Sequence, residues 1–327
     1  MIKTWMIRVK SPSRIHMGLI DMNAELGRVD GGVGLSIDYP HVVISAEVAD
    51  DIEVIGTSLL SPRMKAAAKV LLPEGQGIRV TIEEDMPNHV GVGSGTQAAL
   101  SVAAAVNRLY GLGLSVREMA IAVGRGGTSG IGVASFEKGG FIVDGGHKFK
   151  DKGSFSPSSA SRTPPAPVLF REDFPDWELV LALPGEDMYI GAHDSQEVDI
   201  FRKECPIPLQ EVQAVAHVVL MKMMPAIMEK DIDAFGEATN LLQGLGFKQR
   251  EVRLQHQAVK DLMELLQDSG AYGAGMSSFG PVVYAFTDNP KDAANLRKDA
   301  QAFLNSTIGG KVLVTKANNT GASIWEE

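Results

Sequence analysis

Pro87-Asn88-His89-Val90-Gly91-Val92-Gly93-Ser94-Gly95-Thr96-Gln97-Ala98 joins a strand-like run to a helix-like one, and the fold turns on how that junction is read. Upstream, Gly77 to Glu84 alternates Ile78, Val80 and Ile82 with polar neighbours, the period of a half-buried strand. Downstream, Ala98 to Tyr110 is dense in Ala, Val and Leu, which favours a helix, and Gly111 supplies a stop. Glycines at 91, 93 and 95 let the backbone turn sharply and approach a ligand without a Cβ in the way. The first turn of the helix offers free N–H groups and the positive end of the dipole, so a phosphate or diphosphate is the expected guest. The Gly-x-Gly-x-Gly spacing matches neither a Walker loop nor a dinucleotide fingerprint, and a plain tight turn is the alternative.

The 327 residues suffice for two domains with proper cores. A net charge of −9 argues against nucleic acid as a partner, and an anionic substrate would need local Arg, Lys, N–H groups or Mg²⁺. The single Cys205 excludes an intramolecular disulfide and a Cys-rich metal site and suits a reducing cytoplasm. No signal-peptide core and no apolar run of membrane-spanning length are expected.

Outward from the central stretch, residues 5–10 read as a strand. Ser11 to Leu35 reads as a charged, Gly-rich segment that concentrates Arg14, His16, Asp21, Arg28 and Asp30. Acids and bases with that backbone freedom suit a Mg²⁺-phosphate site, a surface hairpin being the alternative. Strands are expected at 41–48 and 52–55, and a helix from Ser61-Pro62 to Leu72. Ser115-Val116-Arg117-Glu118 is a capping box. Gly124 to Gly132 is a second anion-friendly loop, with Arg125 as its obvious anion partner. Residues 151–167, rich in Ser and Pro, read as a linker or a lid.

Beyond it, Trp177 to Leu183 is a strand, and His193, Asp194 and Glu197 sit in a polar loop with poor spacing for a metal. Helices are expected at 208–229, 231–244 and 250–268, with a kink at Pro225. The Met-rich stripe and His217 in the first of these read as core. Gly270 to Pro281 is a third Gly-rich loop, followed by a strand at 282–286, a helix from Asn289-Pro290 to Phe303 and a last strand at 311–315.

Pro87 to Ser94 and Gly273 to Ser278, together with the charged N-terminal segment, resemble the motifs of the GHMP superfamily of small-molecule kinases and decarboxylases. The resemblance spans nearly the whole chain. It implies an α+β two-domain fold: residues 1–165 like domain 2 of ribosomal protein S5, and residues 166–327 ferredoxin-like, with substrate between them. Pro12–Asp21, Gly27–Leu35, His89–Gln97, Gly124–Gly132 and Ser158–Ser161 are similar, more narrowly, to the branch that joins phosphoribosyl diphosphate to 4-hydroxybenzoate or 4-aminobenzoate in tetrahydromethanopterin biosynthesis. One departure separates the chain from mevalonate-type kinases of the superfamily, whose catalytic Asp would fall on Gly132.

The resemblance implies a decarboxylating phosphoribosyltransferase in which diphosphate leaves ribose C1, the ring carbon bearing the carboxylate attacks, and CO₂ departs. Donor binding falls to Arg14, Gly91, Gly93, Ser94, Gly95, Thr96, Gln97, Arg125 and Ser129. The second Gly-rich motif of the site is Gly273, Gly275, Met276, Ser277 and Ser278. His16 is a candidate general base, Asp21 and Asp30 are candidates for Mg²⁺ or ribose hydroxyls, and Arg28 or Arg14 for the 5′-phosphate or carboxylate. Mg²⁺ is expected, ATP and organic cofactors are not, and a cytoplasmic homodimer is the expected assembly. The rivals are an ATP-dependent GHMP kinase and a catalytically silent binding protein of the same fold.

Overall fold

The computed structural model describes residues 5–88, 90–158, 160–185 and 194–327, with the side chains of 194–196 excepted. The expectations on His89, Ser159 and His193, and on the side chain of Asp194, lie outside these.

The elements in chain order are β1 (Ile7–Asp21), β2 (Arg28–Ala49), β3 (Ile52–Ile55), α1 (Ser61–Leu71), β4 (Gly77–Glu84), α2 (Ser94–Leu109), α3 (Val116–Ala122) and α4 (Ile131–Lys138). Next come β5 (Phe141–Asp144), β6 (His147–Lys148), α5 (Phe149–Lys152), β7 (Val168–Glu172), β8 (Glu178–Pro184), α6 (Asp194–Glu204) and α7 (Leu209–Val218). A π-helical turn at 219–223 leads into α8 (Met224–Glu229), then α9 (Ile232–Gln243), α10 (Gly246–Arg253) and α11 (Gln257–Asp268). The chain closes with β9 (Gly273–Met276), β10 (Val283–Thr287), α12 (Pro290–Ser306), β11 (Gly310–Thr315) and β12 (Ser323–Glu326).

Two sheets organise the molecule. The first has the path β12-β1-β2-β4-β3, with β5 and β6 on β2 and β7 on β5. The second is antiparallel, in the order β11-β8-β10-β9, and α11 and α12 pack on it through Val259, Leu262, Leu266, Leu296 and Leu304. The boundary drawn at 165/166 cuts across the pairing. β7 and β12 come from beyond it yet complete the first sheet, because the edges of β5 and β1 need partners for their backbone groups.

The charged Ser11–Leu35 segment is a long antiparallel pair, not a loop. Its register shifts between His16 and Gly18, a bulge that re-aims side chains at that point. Glycines 32 and 34 in β2 permit α4 to press on the sheet, since a Cβ at Gly34 would lie 2.6 Å from Ile131 Cγ2. Helix α2 lies on β1 and β2 with Ala98, Ala99, Val102, Ala103 and Val106 buried, small side chains that allow close approach. An aromatic cluster then joins the halves: Phe235 of α9 packs on Phe141, Phe174, Trp177 and Phe286 at centroid distances of 5.8, 5.3, 5.7 and 5.2 Å. That shared core holds the cleft between the sheets to one geometry.

Several local expectations are met. Ser115 and Glu118 form the capping box, and Asn289 caps α12. Others are revised. The Gly270–Pro281 motif is a strand as far as Met276, because its small residues let β9 pair with β10 against α9. The kink at Pro225 takes the form of the π-helical turn just before it, which accommodates the missing N–H and the ring. His217 is exposed, and of the Met stripe Met223 is buried while Met221 and Met228 face outward. The continuous helical run Leu209–Glu229 is 21 residues long with a mean hydropathy of 1.2, which is long and apolar enough by those criteria to cross a membrane. Its Val215, Val219, Met223 and Ile227 are core residues here.

Candidate active site

A cleft opens where the 91–97 turn, the 125–132 loop, β1 and the Ser277–Pro281 turn meet. Its floor is tied together by one hydroxyl. Ser277 Oγ, fully buried, donates to the Gly91 carbonyl at 2.7 Å and accepts the His16 N–H at 2.9 Å. The Ser278 N–H returns a bond to the His16 carbonyl at 2.9 Å. All three Gly-rich or charged segments therefore converge on Ser277. Gly91 has φ +95°, and a Cβ there would lie 2.4 Å from the Ser277 carbonyl oxygen, so no other residue fits.

Helix α2 begins at the cleft. Gly93 is its N-cap in the left-handed region, no side chain caps it, and its first turn holds no acidic residue. Two arginines lie against this end. A Cβ at Gly93 would be 3.0 Å from Arg14 Cγ, and one at Gly95 would fall 1.9 Å from Arg63 Nη1. The positive end of the helix dipole and two guanidinium groups together make this corner of the cleft electropositive, a setting that suits an anion. Arg14 also donates to the Gly91 carbonyl, and burial lowers its pKa to about 10. Arg125, Ser94, Thr96 and Asn88 complete this wall, with Ser94 Oγ donating to Asn88 Oδ1 at 3.1 Å.

His16 lies in the floor with Nε2 3.1 Å from Ser129 Oγ and Nδ1 buried without a hydrogen-bond partner. Burial, then Arg14 and Lys248, hold its pKa well below the ordinary imidazole value. The expectation of an unperturbed histidine base is thus revised: the ring is neutral among cations. Beside it, buried Lys248 donates to the carbonyls of Met276 (3.1 Å) and Ser278 (3.0 Å) and pairs with Glu251. Burial lowers the Lys248 pKa, with Glu251 opposing the shift, and burial likewise pushes the Glu251 carboxyl upward. Ser278 holds φ +53°, an unfavourable conformation for a residue with a Cβ that these contacts support.

Of the residues chosen from sequence, Arg14, His16, Gly91, Gly93, Ser94, Gly95, Thr96, Arg125, Ser129 and Ser278 line the cleft. Gln97 is buried beneath it, receiving Ser11 Oγ at 2.6 Å and donating to the Gly132 carbonyl at 2.7 Å, so it ties α2 to β1 and α4. Gly273, Gly275 and Met276 act as backbone under the floor, where Met276 accepts from Lys248. Arg28 is exposed and donates to the carbonyls of Gly145 (2.9 Å) and Gly146 (2.8 Å), bracing a turn in place of an anion. Asp21 accepts the N–H groups of Asn23 and Ala24 at 2.8 and 3.0 Å.

Asp30 is 1% exposed and engaged by His147 Nδ1 at 2.6 Å and Lys152 Nζ at 2.8 and 2.7 Å. Asp21 and Asp30 are cross-strand partners, each engaged by the protein's own donors, and among the described residues no group of three or more His, Cys, Asp or Glu side chains is arranged to hold a metal. Asp144, behind the cleft, accepts Gly130 N–H at 2.8 Å and Gly146 N–H at 2.9 Å and sets the 125–132 loop; burial raises its pKa to about 6. Gly132 faces α2, where a Cβ would press on Thr96 Cγ2 at 3.2 Å. Arg63, Lys248, Glu251 and Asp144 were not singled out from sequence.

Residues 62–140 match the family description "GHMP kinases N terminal domain" and residues 223–306 match "GHMP kinases C terminal". A protein of Archaeoglobus fulgidus named beta-ribofuranosylphenol 5′-phosphate synthase is 46% identical, covering 98% of this chain and 99% of its own length. One of the same name from Methanocaldococcus jannaschii is 45% identical, covering 97% and 99%. Among solved structures, a homoserine kinase of Cytophaga hutchinsonii superposes with a TM-score of 0.68 at 16% identity, covering 99% of this chain and 98% of that one. This last likeness concerns the fold.

Proposed function

The chain belongs to the beta-ribofuranosylphenol 5′-phosphate synthase family within the GHMP superfamily, and from that premise we propose how its cleft divides the work of the reaction. It is a decarboxylating pentosyltransferase of methanopterin biosynthesis, joining phosphoribosyl diphosphate to a para-substituted benzoate with release of CO₂ and diphosphate. The relatives' name contains a phenol, which favours 4-hydroxybenzoate over 4-aminobenzoate as the acceptor.

The observation that carries the mechanism is the pair of arginines pressed on the uncapped start of α2. As the C1–O bond of the donor breaks, negative charge builds on the departing diphosphate. Fixed N–H groups of residues 93–95, with Arg14 and Arg63, are already in place to receive it, and preorganised donors need no rearrangement at that moment. Mg²⁺ enters, on this reading, bound to the diphosphate as part of the substrate, and no step depends on a protein-held ion. Donor binding also sets a negative charge beside Arg14, offsetting one cause of the low His16 pKa and raising its basicity. His16, with Ser129 in contact, then takes the proton of the acceptor's para-hydroxyl, and the cation-rich floor stabilises the phenolate that pushes electrons to the attacking carbon. A cytoplasmic location and a homodimer belong to the same reading.

Incubation with phosphoribosyl diphosphate, Mg²⁺ and carboxyl-labelled 4-hydroxybenzoate tests the reaction. Labelled CO₂ and diphosphate in equal amounts are expected. ADP formation from ATP with an alcohol acceptor would support a kinase instead, and binding without turnover a silent protein.

A further inference from the structure

We propose that Leu19, Phe201 and Phe279, backed by Phe247, form the seat of the aromatic acceptor, an apolar wall facing the anion-binding start of α2. The inference rests on the phosphoribosyl-transfer reading of the cleft and adds the acceptor's position to it.

Glycines, arginines and hydroxyl side chains dominate the cleft lining. Among the described residues only Leu19, Pro157, Phe201 and Phe279 bring bulky apolar side chains to it. Three of these four belong to one packed cluster with Phe247, Met22 and Ile207, separate from the main core. The rings are mutually fixed: Phe201 to Phe247 at 4.7 Å and 45°, Phe247 to Phe279 at 6.0 Å and 87°, Phe201 to Phe279 at 6.4 Å and 49°. All three are under 10% exposed, so their geometry is set before any ligand arrives. The Phe279 carbonyl is itself held by the buried Gln255 amide. A rigid aromatic wall beside a phosphate-binding turn suits a planar ring that must meet a phosphorylated sugar, because offset and edge-to-face contacts add to simple burial.

The chemistry demands the same division. The ring's electron pair forms the bond from its carboxylate-bearing carbon to ribose C1, and the C1–O pair leaves with diphosphate. The pair of the C–COO bond then returns to the ring as neutral CO₂ departs, and no oxidant or reductant is consumed. An arginine on that carboxylate would hold its charge and oppose the last step. An apolar wall desolvates the carboxylate and favours uncharged CO₂. The acceptor thus belongs on the Phe201–Phe279 side, with the arginines left to the donor.

The test is a steady-state comparison of Phe279→Leu, Phe201→Leu and Phe279→Tyr with the wild type. The leucine variants should raise KM for 4-hydroxybenzoate by roughly three- to tenfold, leave KM for phosphoribosyl diphosphate unchanged, and Phe279→Tyr should restore acceptor affinity. A rise confined to the donor KM, or no change in either KM, overturns the proposal. If the leucine variants fold poorly, the wild-type protein with labelled phenylalanine should show NOEs from the benzoate ring protons to phenylalanine rings, and their absence at saturation overturns it equally. Wild-type turnover without such contacts would refute the wall alone, whereas no turnover with any benzoate would refute the reaction reading beneath it.

Discussion

Replacing Ser277 by Ala removes a single buried hydroxyl, and the structure sets what that should cost. The His16 N–H loses its 2.9 Å acceptor in a site closed to water, a penalty of about 1–3 kcal/mol. The Gly91 carbonyl loses its 2.7 Å donor but keeps Arg14, so only about 0.5–1.5 kcal/mol is lost there. The total is roughly 1.5–4.5 kcal/mol, and at about 2 °C per kcal/mol for a chain of this size the melting temperature should fall by roughly 3–9 °C. The same bond fixes His16 against the turn that opens α2, and displacement of reacting groups by about 1 Å can cost on the order of 100-fold in rate. Calorimetric unfolding and initial rates on one preparation should therefore show both a lower melting temperature and a kcat at least roughly tenfold lower. A Ser277→Ala protein with wild-type unfolding and wild-type turnover would show that this hydroxyl does not hold the site together.

Gly91→Ala puts a methyl 2.4 Å from the Ser277 carbonyl at a φ of +95°, so turnover should be abolished, while the same change at Gly75, where nothing lies within 4 Å, should leave activity intact. Lys248→Met strands Glu251 in the interior and leaves two carbonyls unmet, and urea unfolding should register a loss of about 3–5 kcal/mol. For His16 the folded pKa lies below the unfolded value. Stability from its neutral ring is therefore complete above the unfolded pKa and is lost as pH falls below it toward the folded pKa. Nitrogen NMR of the free protein should show an imidazole still neutral at pH 6, and a ring half-protonated near 6.5 would refute the cation-rich floor.

What was legible in the sequence follows from how local its cause is. Glycines at 91, 93 and 95 announce the turn because positive φ and close approach are properties of those residues themselves, and the Ser115 and Asn289 caps are equally local. Arg63 looks like any exposed charge in the first turn of α1, and only the packing of α1 on α2 brings it to Gly95. Lys248 and Glu251, spaced as i,i+3, carry no local mark of burial, yet α10 turns that face inward under the third motif. Arg28 and Asp30 are the opposite case. Their charges suggested ligand chemistry, and the fold uses them on the carbonyls of Gly145 and Gly146 and on the Lys152 and His147 side chains. β12 was missed because a short, half-exposed strand is recognisable only from its partner β1.

The claim beneath all of this is that the uncapped start of α2, with Arg14 and Arg63, grips diphosphate. Calorimetric titration of Mg²⁺-diphosphate into the wild type, Arg63→Ala and Arg28→Ala measures it directly. Affinity should fall at least roughly tenfold in Arg63→Ala, in line with a lost charge-assisted contact, and stay at the wild-type value in Arg28→Ala. Unchanged binding by Arg63→Ala, with affinity lost in Arg28→Ala, would place the diphosphate elsewhere and contradict the account.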